Sequence, residues 1–215
     1  VRRHVRAPMF LVRNPVPPGW HFATTQDRSI AREALDLPQG APIVTCVGRF
    51  SRQKGQDSLI DAWSVVSKEL PDARLLLVGD GPTGDDLRNR APATVIFTGA
   101  TNDPRPFLAA CDVAALPSRW EGLSLSMLEA MASGRSVVTT AVAGSEVVAD
   151  SDCGAVVPVD EPQAFARALL PRLSGLIEAD VEGRRGHQYV IDHHDFDTQM
   201  ARFAAVISRA HAFGR

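Results

Sequence analysis

The chain has 215 residues, 45% apolar and 22% charged, which suits one large globular domain with a sizeable core. A formal net charge of −2 argues against a dedicated nucleic-acid binder. No apolar run approaches the ~20 residues of a membrane span, which argues against a transmembrane helix.

Taken in chain order, residues 9–12 read as a short strand, followed by the turn-rich stretch Asn14-Pro15-Val16-Pro17-Pro18-Gly19. Ahead of them, Arg2-Arg3-His4-Val5-Arg6 reads as a solvated surface segment or cut edge rather than a binding arm. A short helix is predicted over 27–35, ending before Pro38. Residues 43–47 form an apolar run closed by Gly48, the pattern of a strand buried on both faces. Leu59, Ile60, Trp63, Val66 and Leu70 fall at helical spacing and predict a helix over 57–70. The unit then repeats. Strands over 73–78, 95–97, 113–116, 137–140 and 155–157 alternate with helical segments over 85–90, 106–111, 123–133 and 145–149. Helices over 162–173, 178–194 and 198–212 follow.

This alternation implies βαβ units with right-handed crossovers. The predicted fold is α/β: a doubly wound, mainly parallel, Rossmann-like sheet with helices on both faces. We divide the chain into a flanking segment (1–40), the Rossmann-like domain (41–177) and C-terminal helices (178–215). In such sheets ligands bind at the carboxyl ends of the strands, near a switch in strand order. The loops there are 48–54, 79–82, 98–103, 117–122 and 141–145.

Two of these loops carry most of the chemistry. Gly48-Arg49-Phe50-Ser51-Arg52-Gln53-Lys54-Gly55 joins a buried strand to a helix. Arg49 and Lys54 place two cations beside a helix N-terminus, where free N–H groups and the helix dipole attract phosphate. Gly48 permits a sharp exit, and Gly55 a close approach of backbone to ligand. The plain alternative is an exposed basic loop. The second segment, Glu121-Gly122-Leu123-Ser124-Leu125-Ser126-Met127-Leu128-Glu129, is an E-x7-E arrangement. Glu129 sits among apolar neighbours, where a carboxylate needs a partner such as the vicinal hydroxyls of a ribose. The N–H groups of Gly122, Leu123, Ser124 and Leu125 are expected to be free helix-start donors for a diphosphate or a sugar oxygen. The plain alternative is a solvated Glu121 and an exposed Glu129.

The remaining candidates carry less. Gly79-Asp80-Gly81-Pro82 lacks the third glycine of a dinucleotide fingerprint. Ala143-Gly144-Ser145-Glu146 reads as a tight turn with Ser145 capping a short helix, within possible reach of a sugar. His193-His194-Asp195 reads as a solvated helix face, since adjacent helical residues point about 100° apart. Trp20, Trp63 and Trp120 read as packing residues, with Trp120 also placed to shape a pocket beside Glu121. Cys46, Cys111 and Cys153 lack metal-site spacing and are expected as buried free thiols in a reducing compartment. No carboxylate cluster argues for a metal, and no cofactor is expected.

The strings GRFSRQKG, LLLVGDGP, FTGATND, ALPSRWEGLSLSMLEAMASGRSVV and AGSEVV, in that order, resemble the C-terminal domain of family-4 retaining glycosyltransferases, one half of a GT-B architecture. The resemblance covers residues 43–160 and extends to LVRNPV. It implies a nucleotide-sugar-binding domain whose acceptor domain lies N-terminal to Val1, so that the chain is expected to be a piece of a longer protein. It implies that Arg49 and Lys54 bind the donor diphosphate, Glu129 the ribose hydroxyls, and Glu121 the donor sugar. The backbone at Leu123, Ser124 and Leu125 would meet phosphate or sugar, and the loop near Thr101 the base. Ser124 stands where the family often has glycine, a departure at the sugar contact. The final helix resembles the family's crossover helix, which packs back on the acceptor domain. The expected compartment is cytoplasmic, with peripheral membrane association open. Competing readings are a nucleotide-sugar-binding module without activity, a sugar-nucleotide epimerase, a phosphorylase or, more distantly, a dehydrogenase.

Overall fold

The computed structural model describes residues 10–213, with the side chains of 176–178 and 211–213 outside that description. The basic cluster at residues 2–6 and Met9 also lie outside it. Six parallel strands form one sheet: β1 (Ile43–Val47), β2 (Arg74–Val78), β3 (Val95–Gly99), β4 (Val113–Leu116), β5 (Ser136–Thr140) and β6 (Gly154–Val157). Their spatial order is β3-β2-β1-β4-β5-β6. Side chains alternate between the two faces along each strand. Ile43, Leu76, Val78, Ala114, Leu116 and Val137 join one core layer. Val44, Cys46, Leu75, Leu77, Val113 and Val138 join the other. Both faces are covered, which is why the strands read as continuous apolar runs.

Helices α1 (Thr25–Ala34), α4 (Arg105–Ala110), α5 (Leu125–Ala132), α6 (Glu146–Ser151) and α8 (Leu176–His194) contribute to the first layer. Helices α2 (Gln56–Glu69), α3 (Gly84–Arg90) and α7 (Pro162–Ser174) cover the second. The α1 start is a reciprocal cap. Thr24 Oγ1 accepts from Asp27 N–H at 3.2 Å, and Asp27 accepts from Thr24 N–H at 2.9 Å. Proline at its first position sets the start of α7. α9 (Phe196–Phe213) closes the described chain and leaves Met200, Phe203 and Ile207 exposed along one face.

Cys46, Cys111 and Cys153 are buried free thiols, as the sequence suggests. Other expectations are corrected. Residues 10–12 form no strand. This segment directs its backbone donors elsewhere, Arg13 N–H to Gln199 at 3.1 Å and Val16 N–H to His194 O at 2.9 Å. His193 is exposed, but His194 is buried, with Nδ1 donating to Asn14 O at 2.7 Å. Trp63 is fully buried and bonded to Thr94, whereas Trp120 is half exposed and packs into no core layer. Ser145 precedes α6 in a helical conformation and makes no side-chain cap.

The strand order places the switch between β1 and β4, whose loops leave side by side. Gly55 adopts a left-handed backbone (φ 65°) at the start of α2. A Cβ there would lie 2.1 Å from the Pro117 carbonyl oxygen in the loop after β4. Gly55 therefore lets two loops touch. Gly55→Ala combines that clash with a disfavoured φ. It should lower unfolding free energy by about 2 kcal/mol or more in urea titration; an unchanged midpoint would count against this packing.

Candidate functional site

The loop after β1 is basic yet anchored. Phe50 is fully buried, donates its N–H to Asp80 O at 2.9 Å, and meets Phe97 edge-on at 6.1 Å between ring centres. Gly79 lies close behind, where a Cβ would stand 2.1 Å from Gly48 O. The Gly79–Pro82 turn thus supports the β1 loop from behind. Beyond Ser51 the chain makes a single 3-10 turn, Arg52–Lys54, before Gly55 opens α2. Arg49 is exposed, and its carbonyl accepts from Gln56 Nε2 at 3.1 Å. Its guanidinium has no carboxylate partner within salt-bridge distance among the described residues.

The loop after β4 runs from Pro117 into α5. Helix α5 begins at Leu125, two residues later than the sequence suggests, with Ser124 as an extended N-cap. Ser124 Oγ does not cap the helix; it shares a 3.0 Å hydrogen bond with Ser126 Oγ. The N–H groups of the first turn, at Leu125, Ser126 and Met127, therefore lack an intrahelical partner. Those of Gly122, Leu123 and Ser124 lie in the loop ahead.

One ion pair joins the two loops. Lys54 Nζ lies 2.5 Å from Glu121 Oε1, and Ser118 Oγ donates to the same oxygen at 2.9 Å. Ser118 is fixed in turn by its carbonyl, which accepts from Thr140 Oγ1. The Lys54 stem runs back over Gly48, 3.7 Å from where a Cβ would be. Further bonds tie the loops: Arg119 N–H to Gln53 O at 2.7 Å and Gln53 Nε2 to Trp120 O at 3.0 Å.

Glu129 lies one helical turn beyond Leu125, on the same side of α5 as that exposed residue. Its carboxylate has no hydrogen-bonding or ionic partner among the described residues. Partial burial pushes the Glu129 carboxyl above its ordinary range. Thr101 stands apart, in the loop after edge strand β3, exposed and engaged with Asp103 N–H at 3.0 Å. The structure therefore brings Gly48, Lys54 and Glu121 into one cluster, with Gly122, Leu123, Ser124 and Leu125 leading away from it. Among the described residues Thr101 shares no hydrogen bond with them; its hydroxyl is engaged with Asp103.

Ser118, Glu121, Ser124 and the Val142–Ser145 turn enclose a cleft of about 10 Å³, room for roughly one water. The turn's Ala143 and Gly144 also border a wider groove of about 420 Å³, lined by Arg13, Gly122, Leu123 and Glu146. Arg119 and Asp57 have no signature in the sequence, because they find each other across 62 residues; Ser118 was not singled out either, although it stands only three residues before Glu121. Among the described residues no three His, Cys, Asp or Glu side chains gather as a metal site.

A model of the glycosyl transferases group 1 family matches residues 41–174. The lipopolysaccharide core biosynthesis glycosyltransferase LpsE of Rhizobium meliloti is 34% identical over 169 residues, covering 76% of this chain and 48% of its own. HepE of Anabaena, solved in complex with UDP-glucose, superposes with a TM-score of 0.83 at 24% identity, over 92% of this chain and 57% of its own. The C-terminal domain of a group 1 family protein, LpcC of Francisella tularensis, gives a TM-score of 0.74 at 24% identity, over 82% of this chain and 96% of its own. The chain belongs to the group 1 glycosyltransferases, and its sheet is of the GT-B type. It spans about half the length of the curated relatives it matches.

Burial gives Glu129 a specific pH signature. Its ionised form is the one disfavoured in the folded chain. The cost is fully present above the raised value and vanishes as pH falls below the ordinary 4.5. Glu129→Gln should therefore raise the melting temperature of the ligand-free chain at neutral pH, and the gap should close on acidification. Thermal melts showing no gap at neutral pH would contradict this.

Proposed function

We propose that this chain is the donor-binding domain of a retaining glycosyltransferase that moves a sugar from a nucleoside-diphosphate sugar to an acceptor. The observation that carries the reading is the Lys54–Glu121 pair, which joins the two motif loops at the switch in strand order. Family membership supports it, as does the LpcC domain, whose length this fold nearly matches. HepE, with the same fold, was solved with UDP-glucose.

In this reading the diphosphate takes the place of Glu121 beside Lys54, and Arg49 turns its unpaired guanidinium to the same phosphates. The first-turn N–H groups of α5 add dipoles aimed at them. Together they stabilise the charge that develops as the nucleoside diphosphate departs. Released from Lys54, Glu121 faces the donor sugar. Glu129 accepts hydrogen bonds from the ribose hydroxyls, which offsets the cost of its burial. The loop at Thr101 meets the base through its backbone. Charge neutralisation comes from side chains and backbone, without a resident metal. The leaving group departs and the acceptor adds on one face of the sugar, so that configuration is retained.

The acceptor domain belongs to the rest of the protein. The exposed apolar face of α9, with Met200, Phe203 and Ile207, supports a partner domain packed there. No described helix is long and apolar enough to cross a membrane. The chain alone should bind nucleotide and transfer sugar poorly.

Calorimetry with UDP, GDP, ADP and their sugar conjugates tests the proposal. At least one nucleotide should bind, Arg49→Ala should weaken it by roughly tenfold, and Glu129→Ala should remove the contribution of the ribose. A folded chain that binds none of them would overturn the reading.

A further inference from the structure

Arg119 lies two residues before Glu121 and touches the turn after β1, the first turn of α2 and the loop after β6. Its Nη1 donates to Arg52 O at 2.9 Å and to Asp57 Oδ1 at 2.9 Å, and Nη2 to Asp57 Oδ2 at 2.8 Å. Nε lies 2.8 Å from Asp160 Oδ1. Asp57 is in the first turn of α2, and Asp160 follows β6 in a left-handed conformation (φ 55°). The backbone of Arg119 adds the bond to Gln53 O. Arg119 thus holds the carbonyls of both residues that immediately precede Lys54. Its side chain is 15% exposed, so these bonds are partly shielded from water.

The arrangement suits a guanidinium alone. One planar fork satisfies a carboxylate in two-point fashion and still reaches a carbonyl and a second carboxylate. An ammonium could serve only some of these acceptors at once. Burial by itself would raise the Asp57 carboxyl; the bonds and charge of Arg119 bring it below its ordinary value instead. None of these atoms lines the small cleft at Glu121.

We propose that Arg119 is a positioning residue: by clamping the Arg52–Lys54 turn to the loop that carries Glu121, it sets the spacing between Lys54 and α5 into which a diphosphate must enter. The binding consequence rests on the donor-site reading above; the clamp itself does not.

Two readouts separate them. The first is hydrogen–deuterium exchange of the ligand-free chain, comparing wild type, Arg119→Gln, Arg119→Lys and Asp57→Asn. Exchange in residues 50–56 should rise by roughly tenfold or more in Arg119→Gln while β1 and β4 stay protected. Asp57→Asn should share part of the effect, and the double variant Asp57→Asn/Arg119→Gln should add little beyond Arg119→Gln. The second is calorimetry with UDP and GDP. Arg119→Gln should weaken the nucleotide that binds by roughly tenfold, because small misplacements are costly in such sites. Arg119→Lys should restore only part of the loss. Unchanged exchange at residues 50–56, or a uniform rise across the whole chain, would overturn the clamp whether or not nucleotide binds. Local loosening with undiminished affinity would overturn its role in spacing the site. A wild-type chain that binds neither nucleotide would overturn the donor-site reading, and the exchange result would then decide the clamp alone.

Discussion

Parallel pairing of β1 with β4, in register at Val44 with Val113 and Thr45 with Ala114, governs the rest of the molecule. From this seam the strands run outward in opposite directions, to β3 on one side and β6 on the other. The loops after β1 and β4 must therefore leave the sheet together and face each other. One brings Lys54 and Arg49; the other brings Glu121 and the open end of α5. Opposite charges meeting at the seam hold each other where either alone would be costly to shield from water. In the ligand-free chain the Lys54 ammonium is thus both oriented and neutralised. An anion with more charge than one carboxylate is the natural competitor for it.

The rigidity of that seam comes from backbone as much as from charge. Phe50 fixes the basic loop in the core, Gly55 lets it touch Pro117, and Gln53 exchanges hydrogen bonds with Arg119 and Trp120. A preorganised loop of this kind can present cations to a phosphate without first ordering itself, which lowers the entropic cost of binding.

The strands were legible in the sequence because both faces of the sheet are buried, so runs such as 43–47 and 113–116 are apolar without interruption. Helix α2 was legible from periodicity. The start of α5 was not, because Leu123 and Ser124 look compatible with a helix, whereas Leu123 lies in a bend and Ser124 is extended. The sequence placed His193 and His194 on a helix but could not say that His194 turns inward to Asn14, 180 residues away. The E-x7-E spacing and the basic loop marked the two loops that the Lys54–Glu121 pair joins. The residues that set their geometry were not marked: Arg119 finds Asp57 at a separation of 62 residues and Asp160 at 41. The packing of Gly55 against Pro117 was not marked either, since that neighbour comes from another loop.

The account rests on the loops of β1 and β4 forming one pocket for a pyrophosphate. Amide chemical-shift mapping during titration with UDP or GDP tests this most directly. Shifts are expected to concentrate at residues 48–55 and 122–127, moving together with one dissociation constant. Saturable shifts confined to a different face of the sheet, or the two loops responding with separate affinities, would contradict it.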